Sequence, residues 1–568
     1  MVTSKSMATV KASPASGSRI ESDGLIFPKR APFWSAPLFF ALFLSATVAL
    51  QVAGGCYRSE FDGYPDESAH YITGLMVHDY LASGSPVHPS GQENPLRFAE
   101  NFYVHYPKVS IGHWPPLFYL LQAAWMLVFS ISRVSILALM AVTTAAVAQA
   151  MFLAARRESG VLLSAALGFL WISTPFVQAN TGMVMAESLV ALTALLAMLA
   201  LGRYLDRERP RDALWFGVWT LLCILTKGDG WALAVAGPLA LALSRKWHLL
   251  RRGALYWAAA IVALAIPWQL MTLSMVEEGW EDRPGILYSL RALGSFFALL
   301  AGGVGWVAFA LALLGAAVLC VRPFVRGGAV AGFWAAAAAI AASGLLLHAA
   351  VPAGIESRRL ISILPEFLLL AGGGIAWLSR RTSFRWAEYA LTAAMVCGFL
   401  FQSFSAPWKD GNRLSEAAAK ILSLQPDRGG VVFVSGSTSG EGSFIAEVAM
   451  RERRPGHYVL RGTKMLVKSG WAGHDQKPVF GGSRQVAEML DNWGVNAIAI
   501  ESGAGGDSLS RSILLEAIAA ARAKWVEVPL SPAAEGRVRL LVRNGPRIAP
   551  KGDFQLDLTH TLGRMLSE

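Results

Sequence analysis

Two carboxylates follow a proline in Tyr64-Pro65-Asp66-Glu67-Ser68-Ala69-His70-Tyr71. A proline at that place opens a helix, with Asp66 as its N-cap and Glu67 in its first turn. Cap and first-turn acid are complete as structure. The same placement also keeps a carboxylate ionised, because backbone N–H groups and the helix dipole favour its charge, and an ionised carboxylate is a usable base or metal ligand. On spacing alone, cap and base weigh evenly. Downstream, Ile72, Leu75 and Met76 form an apolar face suited to lying on a membrane.

Other charges stand where charge is costly. Glu187, after Met183-Val184-Met185-Ala186, lies near the end of an apolar segment. A carboxylate at bilayer centre costs about 2.5–3.5 kcal/mol on insertion scales, so Glu187 is expected to be paired or to face a cavity, with snorkelling as the plain alternative. Lys227, Arg358 and Arg359 sit at the ends of apolar segments opposite to where basic residues gather. Arginine's fork of donors and lysine's compact charge suit phosphate oxygens; phospholipid headgroups or a pairing with Glu356 are the plain alternatives. Five histidines, His70, His78, His88, His105 and His113, fall in or beside one loop without the tight spacing of a zinc motif. Ordinary loop histidines are the simpler account, and a divalent cation near Asp66 stays open. His113, abutting Pro115-Pro116, is the histidine best placed to reach a site.

The elements that must position these residues are hydrophobic. Of 568 residues, 54% are hydrophobic and 16% charged, far below the charged fraction of soluble domains, so the chain is read as membrane-embedded. The net charge of +11 resides in short clusters, Arg156-Arg157, Arg203 to Arg211, Arg245 to Arg252, Arg322 to Arg326 and Arg380 to Arg385, spaced like cytoplasmic loops rather than a nucleic-acid surface. With those clusters inside, spans are expected near 33–54, 133–154, 160–178, 183–201, 213–226, 231–244, 253–275, 293–320, 328–351, 360–378 and 386–404. That is about eleven crossings, each near the 20 residues a helix needs. The N-terminus falls inside and the C-terminus outside. Trp114 to Ser130 is apolar too, but counting it would put Arg156-Arg157 on the wrong side; it is expected to be juxtamembrane or re-entrant. Residues 1–32 read as a disordered cytoplasmic tail ahead of an uncleaved first span. Cys223, Cys320 and Cys397 lie in apolar segments and Cys56 stands alone, which gives no disulfide framework.

Two parts fall outside the bilayer. The loop 55–112 is far longer than an ordinary connection. The tail, 407–568, changes to alternating strand and helix patterns: a strand at 430–434, a Gly/Ser turn, a helix at 442–453 and a second buried strand at 497–500, which suggests a soluble α/β domain. Gly436 to Gly442 sits where anion-binding loops occur but lacks the P-loop ending, and a plain turn is the simpler account.

Tyr64 to Tyr71 directly after a first span resembles the acidic motif in the first outer loop of GT-C glycosyltransferases, the group of the protein O-mannosyltransferases and the aminoarabinose transferases of lipid A. Gly112-His113-Trp114-Pro115-Pro116-Leu117-Phe118-Tyr119 resembles that group's second motif, and Thr226-Lys227-Gly228 and Arg358-Arg359-Leu360 to Pro365 resemble two later landmarks, in the same order. The likeness runs over roughly the first 400 residues. It implies a GT-C-like transmembrane module over 33–406 in a bacterial inner membrane, with the tail outside. It implies Asp66 as the catalytic aspartate, Glu67 as its acidic partner, Glu187 as a second acidic position, and Arg358, Arg359, Lys227 and His113 toward substrate phosphate. The implied donor is a polyprenyl-phosphate sugar and the acceptor a glycan, lipid or protein. His70 departs from the aminoarabinose branch, which carries arginine there, so neither sugar nor acceptor follows. A transporter or lipid flippase is the alternative from another class, but the charges cluster at one face and no repeat is visible. An assembly factor acting through its tail would leave the acidic motif idle.

Overall fold

The computed structural model describes residues 35–83, 94–278, 280, 282–384, 386–468, 476–502, 509–551, 555–558 and 564–567. Residues 1–32 and His88 lie outside them. The apolar runs fold as helices because a backbone in hydrocarbon must satisfy its own hydrogen bonds. In chain order these are α1 (Ser35–Ala53), α2 (Pro65–Ser83), α3 (Pro95–His105), α4 (Leu117–Val128), α5 (Arg133–Ala155), α6 (Val161–Ser173), α7 (Pro175–Thr181), α8 (Glu187–Arg207) and α9 (Pro210–Thr226). They continue as α10 (Ala232–Ser244), α11 (Gly253–Ala263), α12 (Ile266–Glu278), α13 (Ile286–Val304), α14 (Trp306–Ala316), α15 (Arg322–Val325), α16 (Gly332–Ala350), α17 (Leu364–Ser379) and α18 (Ala387–Gln402). Among the described residues seven helices are long and apolar enough to cross a membrane, or eight if α6 and α7, bent by 62° at Pro175, form one span. The chain is a multi-pass membrane protein.

Polar contacts sort the helix ends into two sets. At one end, Gln149 Nε2 donates to Ala36 O (3.1 Å), Gly160 N to Glu388 Oε1 (3.0 Å), Gly332 N to Asp206 Oδ1 (2.7 Å) and Arg245 Nη2 to Phe324 O (3.0 Å). The basic clusters gather at this end. At the other, Gln51 Nε2 donates to Leu137 O (3.0 Å) and Thr181 O (2.8 Å), and Trp306 N to Gln402 Oε1 (3.2 Å).

One expected span is corrected. The run 293–320 is not a single helix: Gly305, at φ +82°, separates α13 from α14. A Cβ there would stand 3.2 Å from Ser403 Oγ. α13 begins beside α16, with Tyr288 OH 3.5 Å from Val351 O, and ends beside α18, so both its ends lie at the end of the bundle opposite the basic clusters. α14 and α15 instead run from Gln402 to Arg245, from one end of the bundle to the other. α4 lies against α2, where Gln122 Nε2 donates to His70 O (3.3 Å), and leaves Leu120, Leu127 and Val128 exposed.

Beyond α18 come α19 (Leu414–Leu424), β1 (Val431–Ser435), α20 (Thr438–Arg451), β2 (Tyr458–Arg461), α21 (Gly462–Met465), β3 (Val467–Lys468), β4 (Lys477–Pro478), α22 (Ser483–Asn492), β5 (Val495–Glu501), α23 (Leu509–Ala520), β6 (Trp525–Val528) and β7 (Val538–Arg543). Five strands form a sheet in the order β2-β1-β5-β7-β6. β1 pairs in parallel with β2 (Val431 with Tyr458) and β5 (Phe433 with Ile498); β7 pairs antiparallel with β5 and β6. Every residue of β1 is buried, as its unbroken apolar run requires of a central parallel strand.

This sheet is not a separate appendage. Phe61, Tyr71, Ile72 and Leu75 of the outer loop share one apolar core with Leu414, Ile421, Val432, Phe444 and Ile445 of the tail. The apolar face of α2 therefore meets protein rather than lipid, which corrects the expectation for Ile72 and Leu75. Charges tie the same seam: Arg454 to Asp79 (2.6 Å), Arg133 to Glu447 (3.2 Å) and Tyr106 OH to Glu452 Oε1 (2.6 Å). α20 approaches α2 so closely that a Cβ at Gly442 would lie 2.2 Å from Ser68 Oγ, so any larger residue there would have to push the Ser68 side chain aside.

Candidate active site

Asp66 stands inside the first turn of α2, two places after the cap position, because the helix opens at Pro65 itself. Its Oδ2 accepts from Arg358 Nη1 at 3.0 Å, across 292 residues of chain. Arg358 rides on a short 3-10 turn, Ser357–Ser362, between α16 and α17. Its guanidinium lies over the Tyr64 ring (4.0 Å), donates through Nη2 to Tyr64 OH (2.9 Å), pairs through Nε with Glu356, and comes within 3.7 Å of Glu187 Oε1. Glu187 opens α8 and accepts from Lys227 Nζ at 2.9 Å; Lys227 follows α9 and also lies 3.7 Å from Asp229. Asp66, Glu187, Lys227 and Arg358 thus meet from four segments, at the end of the bundle away from the basic clusters.

The pair at the centre is accessible without being loose. The side chains of Arg358 and Asp66 keep 21% and 23% of their surface open, so another group can reach either. Burial works against the Glu356 charge, but Arg358 and the Tyr64 hydroxyl outweigh it and hold that carboxyl below its ordinary range. The Tyr64 phenol is pushed well up by burial, so it stays a donor, and it gives its proton to Glu356 Oε1 at 2.7 Å. One turn along α2, His70 is buried under Trp114 (ring centroids 4.2 Å) with Nδ1 2.9 Å from Tyr119 OH. Burial lowers its pKa to about 4 despite the nearby Asp66 and Glu187 charges, so its ring is neutral near pH 7.

Three expected residues stand elsewhere. Glu67 is fully buried and points away from Arg358: Lys409 Nζ reaches both its oxygens (2.7 and 2.8 Å), Gly63 N donates at 3.0 Å and Val184 N at 3.4 Å. That set ties α2 to the turn before α8 and to the chain leaving α18. Arg359 turns its Nη2 to the Ala353 carbonyl. His113 stands edge-on to Trp114 at 5.1 Å, one ring removed from His70. Among the described residues no group of three or more His, Cys, Asp or Glu is gathered in a way that could hold a metal ion. At the tail's Gly/Ser turn, Glu501 Oε2 accepts from Ser437 N (2.7 Å) and Oγ (2.8 Å), so the chain's own carboxylate occupies that helix start.

Reading the sequence missed Tyr64, Asp229, Trp114 and Lys409 as parts of this arrangement, whereas the pairing with Glu356, held there as a plain alternative, is present at Arg358. Tyr64 was within reach, since it precedes Pro65-Asp66. Lys409, the first basic residue after the last apolar run, carries no mark of its partner in the sequence.

No family model matches the sequence, and no curated protein matches it. Structural likeness is extensive. ArnT from Cupriavidus metallidurans, solved bound to undecaprenyl phosphate, aligns over 90% of this chain and 100% of its own, with a TM-score of 0.56 and 14% identity. The archaeal oligosaccharyltransferase AglB from Archaeoglobus fulgidus, in complex with an inhibitory peptide and a dolichol-phosphate, aligns over 89% of this chain and 77% of its own, with a TM-score of 0.50 and 11% identity. Both are GT-C glycosyltransferases, and the fold of this chain is theirs.

Proposed function

We propose that the protein is an integral-membrane glycosyltransferase moving a sugar, a hexose or pentose, from a polyprenyl-phosphate donor to a glycan, lipid or protein acceptor on the non-cytoplasmic face of a bacterial inner membrane. The observation that carries this reading is the meeting of Asp66, Arg358, Glu187 and Lys227 at one end of a GT-C-fold bundle. The contacts at the two sets of helix ends fit eleven crossings: α1, α5, α6–α7, α8, α9, α10, α11–α12, α14–α15, α16, α17 and α18. With the basic clusters cytoplasmic, the site and the sheet domain then lie outside. Reporter fusions at Arg207 and Glu416 should read cytoplasmic and non-cytoplasmic respectively; the same compartment for both would overturn the orientation. Outside the cytoplasm no nucleotide sugar is at hand, which favours a lipid-borne donor.

Chemically, Asp66 takes the proton of the acceptor hydroxyl as its oxygen attacks the anomeric carbon, while the bond from that carbon to the phosphate oxygen breaks on the opposite side and inverts the centre. Arg358 and Lys227 face the charge growing on the departing phosphate, and Glu187 holds both cations in place. Purified protein in nanodiscs, offered labelled polyprenyl-phosphate sugars with membrane extract as acceptor source, should move label from the lipid. Label that stays on intact lipid while crossing the membrane would point to a flippase instead.

A further inference from the structure

At the end of the bundle that carries the basic clusters, α8 ends at Arg207 while α9 and α11 begin at Pro210 and Gly253. Residues 203–212 and 245–252 hold eight arginines and lysines against three acidic residues, so positive charge is in surplus there. Two of the three acids are engaged elsewhere: Asp206 accepts from Gly332 N (2.7 Å), and Asp212 is buried 3.6 Å from Arg203 Nε. The third, Glu208, stands at φ +55° where α8 stops and is shared by Arg252 Nη2 (2.8 Å), Lys246 Nζ (3.3 Å) and His248 Nε2 (3.0 Å). One carboxylate cannot neutralise both Arg252 and Lys246, and the Arg252 side chain keeps 49% of its surface open.

This surplus borders a cavity of about 530 Å³ between the starts of α9 and α11, within the size range of small-molecule sites. Glu208 and Arg252 supply its polar wall, and Pro210, Leu214, Ala254 and Trp257 its apolar one. Further along, the two helices close on each other, where a Cβ at Gly217 would stand 2.8 Å from Ala258 O, so the cavity is confined to their first turns. Trp247, Tyr256 and Trp257 are exposed at this level, as aromatic side chains are where hydrocarbon gives way to headgroups. α11 opens here with no side-chain cap and with open space where a Cβ of Gly253 would stand, which leaves its first backbone N–H groups free to face an anion.

Charge and shape together select the occupant. A soluble anion would leave the apolar wall in water, and a zwitterionic phospholipid would bring its own cation to a place already rich in cations. An anionic phospholipid matches both walls, since basic pockets beside spans attract such headgroups. We propose that this cavity holds an anionic phospholipid of the adjoining leaflet, with its phosphate on Arg252 and Lys246 and its glycerol and upper acyl chain against Leu214, Ala254 and Trp257. The site lies at the opposite end of the bundle from Asp66 and stands or falls independently of the glycosyltransferase reading.

The test uses full-length protein, stripped of lipid in detergent and titrated with phosphatidylglycerol, phosphatidylcholine or undecaprenyl phosphate, with each bound lipid counted by native mass spectrometry. Wild type should take its first phosphatidylglycerol at least about tenfold more tightly than phosphatidylcholine. Arg252→Gln should weaken phosphatidylglycerol about fivefold and Trp257→Ala about threefold. Arg326→Gln removes the same charge from another exposed cluster and should stay within about twofold of wild type. Equal binding of the two phospholipids would overturn the proposal, as would an equal loss in Arg326→Gln, which marks general surface charge, or no loss in Trp257→Ala. Displacement of phosphatidylglycerol by an equal concentration of inorganic phosphate would make the site one for a soluble anion. Preferential binding of undecaprenyl phosphate, lost in Arg252→Gln, would hand the cavity to the sugar carrier; either result overturns the phospholipid assignment.

Discussion

Asp66 and Glu67 are neighbours in the chain and belong to two different regions of the molecule. Asp66 faces a partner that is itself open to solvent and shared among three carboxylates, Asp66, Glu187 and Glu356. Glu67 faces one lysine through both oxygens, with no exposed surface of its own. A pair that substrate can enter and rearrange suits chemistry. A pair closed on all sides suits holding two segments together, and on removal of one partner it leaves an uncompensated buried charge. What separates the two residues is therefore the exchangeability of their partners, since charge type and sequence position are nearly the same.

The largest expected effect tests the open side of that contrast. Asp66→Asn should lower kcat/KM about a thousandfold, within the range for loss of a positioned base, while Tm moves by no more than the loss of about 1 kcal/mol from a helix start would allow. Next comes the closed side: Glu67→Gln should destabilise by about 3 kcal/mol, as breaking a buried pair does, and adding Lys409→Met should recover part of it. Thermal unfolding in nanodiscs reads both. Turnover lost in Glu67→Gln at unchanged stability, with Asp66→Asn merely unstable, would reverse the assignment of the two residues.

How much of this was legible beforehand follows the same division. Glu187, Lys227 and Arg358 could be singled out because charge at the edge of an apolar segment is costly, and costly residues stand out in a sequence, whereas Asp66 stood out as a carboxylate at a proline-led helix start within a recognisable motif. Their grouping could not be read, since Asp66 and Arg358 are brought together by a fold over 292 residues of chain. An apolar stripe shows that Ile72 and Leu75 are covered without showing by what, and the cover proved to be the tail rather than lipid. The run 293–320 is apolar on both sides of Gly305, and hydropathy is blind to a backbone turning at φ +82°. β1 and β5 were legible as buried runs at 430–434 and 497–500, close to their bounds in the structure, whereas β6 and β7 carry charges along their length and gave no such pattern.

A smaller effect separates the cations within the open region. Arg358→Ala should lower kcat/KM at least about tenfold, or roughly 1.4 kcal/mol of transition-state stabilisation. Lys227→Ala should cost less, because Lys227 reaches the site through Glu187, and Arg359→Ala least, because its Nη2 is already committed to a backbone carbonyl. Kinetics with a polyprenyl-phosphate sugar would show this order; Arg359 at the top of it would mean that the phosphate sits deeper between the helices than Arg358.

The smallest expected effect concerns His70, which lies near the open cluster yet is buried like the closed one. Its folded-state pKa is about 4 against an ordinary value of 6.5, and burial is the main cause. Between those two values the unfolded chain binds a proton that the folded protein refuses, so stability rises with pH through that window and falls as pH drops from 6.5 toward 4. Above about pH 7 both states are neutral and the contribution is flat. Trp114 stacked on the ring and Tyr119 on Nδ1 leave little room for water to soften the penalty, so the loss between pH 7 and pH 5 should be on the order of 1 kcal/mol. His70→Gln retains hydrogen-bonding groups for Tyr119 and removes the titration, and should therefore flatten the acid side of the Tm-against-pH curve while leaving its value above pH 7 little changed. A variant that loses stability equally at all pH values would show that the ring's packing, and not its neutrality, is what this position supplies. In either case His70 should not produce an inflection in the kcat/KM profile between pH 6 and 8, because burial has already moved its titration out of that range.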